Sequence, residues 1–103
     1  MTGLGIIVAG IDPVRFRTAL TMAAAQAALG ARVRILLDSG AVMLAAQPAA
    51  LLESCFELGV EVTLCQTGLA EAGLDASALD SRFFHGGMVG WLAVLGDDRL
   101  VVV

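Results

Sequence analysis

The chain has no lysine, one histidine and two cysteines, and charged residues make up only 16% of its 103 positions. Without a lysine amine it can form no Schiff base and carries no phosphate-binding P-loop. Its cations are arginines, spaced as Arg15/Arg17 and Arg32/Arg34 without a basic cluster, on a chain of net charge −4. A surface that neutralises phosphates needs the opposite balance, so nucleic acid is not an expected partner. A single histidine and two cysteines, with no close Cys-x-x-Cys spacing, do not make a zinc site, and no metal or resident cofactor is expected. Met1-Thr2-Gly3-Leu4 runs directly into apolar sequence without a basic leader region. Cys55 and Cys65 are therefore expected to be reduced thiols in a cytoplasmic protein. No apolar run reaches the length of a membrane span, so none is expected.

What remains is strongly apolar. Hydrophobic residues make up 58% of the chain, more than one small core needs. Residues 1–103 read as a single domain. Its surplus of alanine-rich apolar surface is expected to lie against another copy of the chain in a homo-oligomer.

Short apolar runs alternate with helical stretches along the sequence. Leu4–Ala9, Val33–Leu37, Val60–Leu64 and Leu100–Val103 read as strands, the third as one covered on both faces. Val14–Leu29, Ala49–Leu58 and Met88–Leu95 read as helices, with one or two helical turns over Ala41–Ala46. Asp12 is placed as an N-cap, Pro13 as the first helical residue, and Gly30 and Gly59 as stops. Gln66–Asp80 reads as a polar flap with at most a helical turn near Leu69–Ala72. The expected fold is a three-layer α/β/α domain with a mostly parallel, doubly wound sheet of four to five strands. The expected strand order puts the Cys65 strand beside the first strand, so that Asp12 and Cys65 flank the point where the order reverses.

Cys65 is the one nucleophile placed at the carboxyl end of a strand, where α/β proteins gather their reactive groups. If a helix starts just after it, the backbone N–H groups of Thr67 to Leu69 would face the sulfur and favour its thiolate. The plain alternative is a small hydrophobe closing a buried strand. Gly86-Gly87-Met88-Val89-Gly90 offers free N–H groups for an anion or serves as an ordinary turn. His85 is a possible acid, base or charge partner, and Arg82 the other nearby cation. Asp12 and Asp38 lie at carboxyl edges, where they could ligate or orient something, although a helix cap for Asp12 and a turn for Asp38 are the preferred readings. Cys55 sits in a helical apolar stripe; a disulfide with Cys65 would require the two sulfurs to approach within bonding geometry.

The stretch Gly59-Val60-Glu61-Val62-Thr63-Leu64-Cys65, a loop containing Gly73, and Gly86-Gly87-Met88-Val89-Gly90 leading through Asp97-Asp98-Arg99 into an apolar C-terminal strand resemble the DsrE/DsrF-like family. The resemblance covers nearly the whole chain. It implies a small doubly wound domain that oligomerises and handles sulfur. It also implies that Cys65 accepts sulfane sulfur as a persulfide from a donor protein and passes it to an acceptor thiol. By the same resemblance, Gly86 to Gly90 match a mainly structural segment. The alternative function is a non-catalytic, oligomeric small-ligand-binding module. The residues placed near the ligand in either case are Asp12, Gln66, Thr67, Gly68, His85, Gly86 and Gly87, around Cys65.

Overall fold

The computed structural model describes all residues, Met1–Val103. Its strands are β1 (Leu4–Val8), β2 (Val33–Leu37), β3 (Glu61–Cys65), β4 (Phe84–Gly86) and β5 (Arg99–Val102). Between them lie α1 (Pro13–Ala28), α2 (Ala50–Glu57), α3 (Gln66–Ala72) and α4 (Met88–Leu95). Two 3-10 segments, Ser39–Ala46 and Ala76–Ala78, complete the chain. Local chemistry sets the boundaries of α1. The Asp12 carboxylate accepts from the N–H groups of Val14 (2.8 Å) and Arg15 (3.4 Å), and Pro13 opens the first turn. Past the far end of α1, Gly30 takes a left-handed φ of 97°, as expected of a helix stop.

All five strands are parallel, in the order β4-β3-β2-β1-β5. This corrects the expected order, because β2 lies between β1 and β3. Each of the first three crossovers moves the chain one strand over in the same direction, which is how sequential strands most often neighbour each other. Only after α4 does the chain return, to place β5 on the far side of β1. The reversal therefore lies between β1 and β5, and Asp12, at the end of β1, is separated from Cys65 by the whole of β2.

The same sequence of crossovers decides which face each helix covers. Ile6, Ile35, Val62 and Leu64 enter the main core with Phe16, Ala19 and Leu20 of α1, Leu52 and Cys55 of α2, and Leu69 of α3. The opposite face holds a much smaller cluster, in which Trp91 and Leu95 of α4 lie on Ile7 and Leu36. Gly5 has to be bare there, since a Cβ at that position would overlap Leu95 and come within 3.0 Å of the Trp91 ring. With α4 alone on this face, β3 is not covered on both sides as expected. Val62 and Leu64 are buried, while Glu61, Thr63 and Cys65 are half-exposed.

The amino edge of the sheet is closed by Asp98. Its carboxylate accepts from the Gly3 N–H (3.2 Å) and from Arg32 Nη2 (2.6 Å) and Nε (3.2 Å). Arg34 reaches it at 3.5 Å and pairs with Glu61 at 2.7 Å. Gly3 is bare for the same reason as Gly5, because a Cβ would run into the Asp98 carboxylate. Four strands are thus tied at one end by charge. Hydrogen bonds from Arg32 hold the Asp98 carboxyl below the usual carboxylate range. A carboxyl whose pKa is lowered by folding stabilises the fold above its unfolded pKa of about 3.9 and loses that contribution as the pH falls below it. Asp98→Asn is expected to lower the melting temperature at pH 7 and to flatten its decline below about pH 4, measured by thermal unfolding followed by circular dichroism.

Candidate functional site

Cys65 is both the last residue of β3 and the cap of α3, with no residue between strand and helix. Its Sγ accepts from the Gly68 N–H at 3.4 Å and is half-buried against the main core. The helix starts directly at Gln66, so Gln66 and Thr67 form an exposed first turn rather than the expected flap. Gly68 is buried, and a Cβ there would overlap the carbonyl oxygen of Ser39. The first turn of α3 therefore rests on the loop after β2, where Ser39 itself takes a left-handed φ of 49°. That contact fixes the height at which the thiol stands above the sheet.

On its other side Cys65 is paired with Gly86 of β4. The three-residue strand β4 was not resolved in the sequence pattern, being too short to show a period. His85 is exposed on β4, one position back, and is paired with Leu64. Gly87 caps α4 without a side-chain hydrogen bond. The structure thus gathers Cys65, Gln66, Thr67, Gly68, Gly86 and Gly87 at one corner of the carboxyl edge. It leaves Asp12 outside that group, engaged as the cap of α1.

The segment between α3 and β4 is also tied down. Gly73 ends α3 with a left-handed φ of 67°, and Asp75 accepts from the Ser77 N–H at 2.9 Å. Arg82 donates to both oxygens of Glu53 (2.7 and 2.6 Å) and to Asp80 (2.7 Å), with its guanidinium 4.4 Å from the centre of the Phe56 ring. Hydrogen bonds from Arg82 lower both carboxyls, that of Asp80 to about 2. A guanidinium held by two carboxylates is not free to serve Cys65.

Cys55 has a different environment. It has no exposed surface, its thiol donates to the Leu20 carbonyl at 3.4 Å, and burial pushes its pKa up. Both cysteines are free thiols. No group of three or more His, Cys, Asp and Glu side chains is arranged to hold a metal ion.

A groove of about 340 Å³ opens on the α4 face of the sheet, beginning at Gly86 and Gly87 and running past Thr63, Phe84 and Trp91 to Arg34. Reading the sequence picked out only its glycine end and His85. The signal for the remainder is an arginine, a glutamate and a threonine at alternating positions of otherwise apolar strands. Since Cys65 is partly accessible and Cys55 is not, iodoacetamide is expected to modify Cys65 alone in the native protein. Cys55 should react only on unfolding, as peptide mapping by mass spectrometry will show.

Three solved structures share this architecture. The ychN protein of E. coli superposes with a TM-score of 0.85 at 21% identity, covering 100% of both chains. MTH1491 of Methanobacterium thermoautotrophicum, described as a protein of unknown function, gives 0.82 at 15% identity over 100% of both chains. BT1422 of Bacteroides thetaiotaomicron, described likewise, gives 0.74 at 16% identity over 97% of this chain and 94% of its own. No family model and no curated protein matches the sequence. No helix is long and apolar enough to cross a membrane. Similarity at this level of identity speaks to the fold, and by its strands, helices and full-length superposition the chain has the DsrE/DsrF-like fold.

Proposed function

We propose that the protein carries sulfane sulfur on Cys65. The observation that carries this reading is the placement of a partly accessible thiol at the carboxyl end of β3, with the Gly68 N–H directed at its sulfur. The Cys65 thiolate attacks the outer sulfur of a donor persulfide. A new S–S bond forms at Sγ, the donor's own S–S bond breaks, and the donor leaves as a thiolate. An acceptor thiolate then attacks the same sulfane sulfur and releases Cys65 as it was. The sulfur passes on with no net oxidation, so no cofactor is required. Gln66 and Thr67 present an exposed rim to whatever approaches.

The carrier is further proposed to work as a homo-oligomer. Met88-Val89-Gly90-Trp91-Leu92-Ala93-Val94-Leu95 has no polar or charged side chain apart from the indole, and a helix apolar on every side belongs in an interior. Yet Val89 is 86% exposed, and Leu100 and Val102 of β5 are 48% and 63% exposed. The pairing of Leu100 with Gly5 and of Val102 with Ile7 puts these β5 residues on the α4 face. On the helix, Val89 and Leu92 lie on the opposite side from Gly90 and Val94, which border the groove. The flank formed by Val89, Leu92, Leu100 and Val102 is therefore purely apolar, as an interface between copies requires.

Incubation with polysulfide followed by intact mass spectrometry is expected to add one sulfur to the wild type and to Cys55→Ser, and none to Cys65→Ser. Sulfur retained on Cys65→Ser would remove the carrier reading. Sedimentation equilibrium should give an integer multiple of the chain mass, with Leu100→Lys/Val102→Lys moving it to that of one chain. A wild type that sediments as one chain contradicts the oligomer.

A further inference from the structure

We propose that two copies of the chain join along β5, antiparallel about a two-fold axis, so that their sheets run on as one continuous sheet. This deepens the homo-oligomer reading above, on which it rests, by naming the strand that joins and its register; it does not depend on Cys65. β5 is the edge of the sheet beyond β1. The N–H groups of Arg99 and Val103 donate to the carbonyls of Gly3 (3.0 Å) and Ile7 (2.8 Å), and the Val103 carbonyl accepts from Ala9 (3.0 Å). Backbone direction alternates along a strand, so Leu100 and Val102 turn both N–H and C=O outward, away from β1.

Edge strands that stay single are guarded by lysine, proline, a bulge or a covering element. β5 has neither lysine nor proline, and its one charge stands at its start, where Arg99 donates to Gln26 of α1 at 3.1 Å. Burial is unfinished on both of its faces. Leu100 and Val102 are exposed on the α4 face, and Val101 and Val103 are only half-buried against the main core. The other edge of the sheet offers less backbone, because β4 has three residues and runs into Gly87. Joining β5 to β4 of another copy would also repeat without closing, whereas β5 against β5 closes at two copies.

The open groups select the register. A two-fold axis normal to the sheet at Val101 sets Leu100 opposite the partner's Val102, and Val102 opposite the partner's Leu100. Opposed residues of this kind exchange both hydrogen bonds, so every outward N–H and C=O of Leu100 and Val102, in both copies, is satisfied. Setting Leu100 opposite the partner's Leu100 instead would bring Val102 against the partner's Asp98, whose N–H is already given to the Leu95 carbonyl at 3.1 Å. In the Val101-centred register the two Arg99 residues stand at opposite ends of the joint, about 13 Å apart along the strands. The α4 faces also become one surface, on which Leu100 and Val102 of both copies continue the apolar flank of Val89 and Leu92.

Amide hydrogen exchange of the wild type, followed by ¹⁵N NMR, reads the joint. The N–H groups of Leu100 and Val102 are expected to exchange within about tenfold of that of Val101, which faces β1. Fast exchange at Leu100 and Val102 in a protein that sediments as a multimer overturns the β5 joint and leaves the oligomer standing, whereas a wild type of one chain's mass removes both. Val101→Cys in the Cys65→Ser background puts two thiols across the axis, where Cα atoms of a non-hydrogen-bonded pair are about 4.5 Å apart, within disulfide reach. Cys55 is buried and takes no part. Mild oxidation is expected to cross-link this variant into a dimer at least tenfold faster than Leu100→Cys or Val102→Cys in the same background. Faster cross-linking at Leu100 or Val102 overturns the register. Val102→Pro removes an outward N–H and no bond to β1, so it is expected to keep the wild-type circular dichroism spectrum and to sediment as one chain. A folded Val102→Pro that keeps the multimer's mass overturns the proposal.

Discussion

A parallel sheet needs cover on both faces, and this chain supplies very unequal cover. Three crossovers in one direction place α1, α2 and α3 on one side, and the single return crossover places α4 alone on the other. Most of the remaining architecture follows from that imbalance. The main core is deep and aliphatic. The second core is a strip under Trp91 and Leu95, held close by the bare backbone of Gly5. To either side of the strip the sheet stays open, apolar toward β5 and mixed in character toward β3 and β4.

The two ends of the strands are held by different physics. At the amino end, Asp98 gathers Gly3, Arg32 and Arg34 by charge, and Arg34 extends the network to Glu61. At the carboxyl end, the fit is steric, with the first turn of α3 resting on the Ser39 carbonyl where Gly68 has no side chain. Charge at one end and close backbone packing at the other leave the thiol corner free of ion pairs. The nearest arginine in sequence, Arg82, is committed to Glu53 and Asp80 on the outer side of α2.

Much of this could be read from the residues. The caps and stops at Asp12, Pro13, Gly30 and Gly59, the strand leading to Cys65, and the apolar helix from Met88 to Leu95 are local features, and local chemistry specifies them. The strand order was not legible, because β1, β2 and β3 are all short and apolar, and nothing within a strand says which neighbour it takes. The helix starting at Gln66 was obscured because Gln-Thr-Gly reads as loop, whereas the structure accepts Gly68 there for its close approach to Ser39. The half-exposed face of β3 was visible in Glu61 and Thr63, whose alternation with Val62 and Leu64 outweighs the apolar ends of the run. The groove belongs to tertiary structure: Arg34, Phe84 and Trp91 lie on three different elements, and only the assembled sheet brings them together.

The direct junction of β3 and α3 at Cys65 also limits how the thiol can move. A reactive group on a loop can be carried from one partner to the next like a bucket on a rope. Here the sulfur hangs from a backbone fixed on one side by sheet hydrogen bonds and on the other by a helical turn, so its travel is limited to rotation about a single bond of its own side chain. Any molecule that exchanges atoms with it has to bring its own mobility. In the carrier role proposed for Cys65, the flexible half of such an encounter would therefore belong to the visitor, as a tail, a small diffusing thiol or an extended loop, with this protein as the anvil.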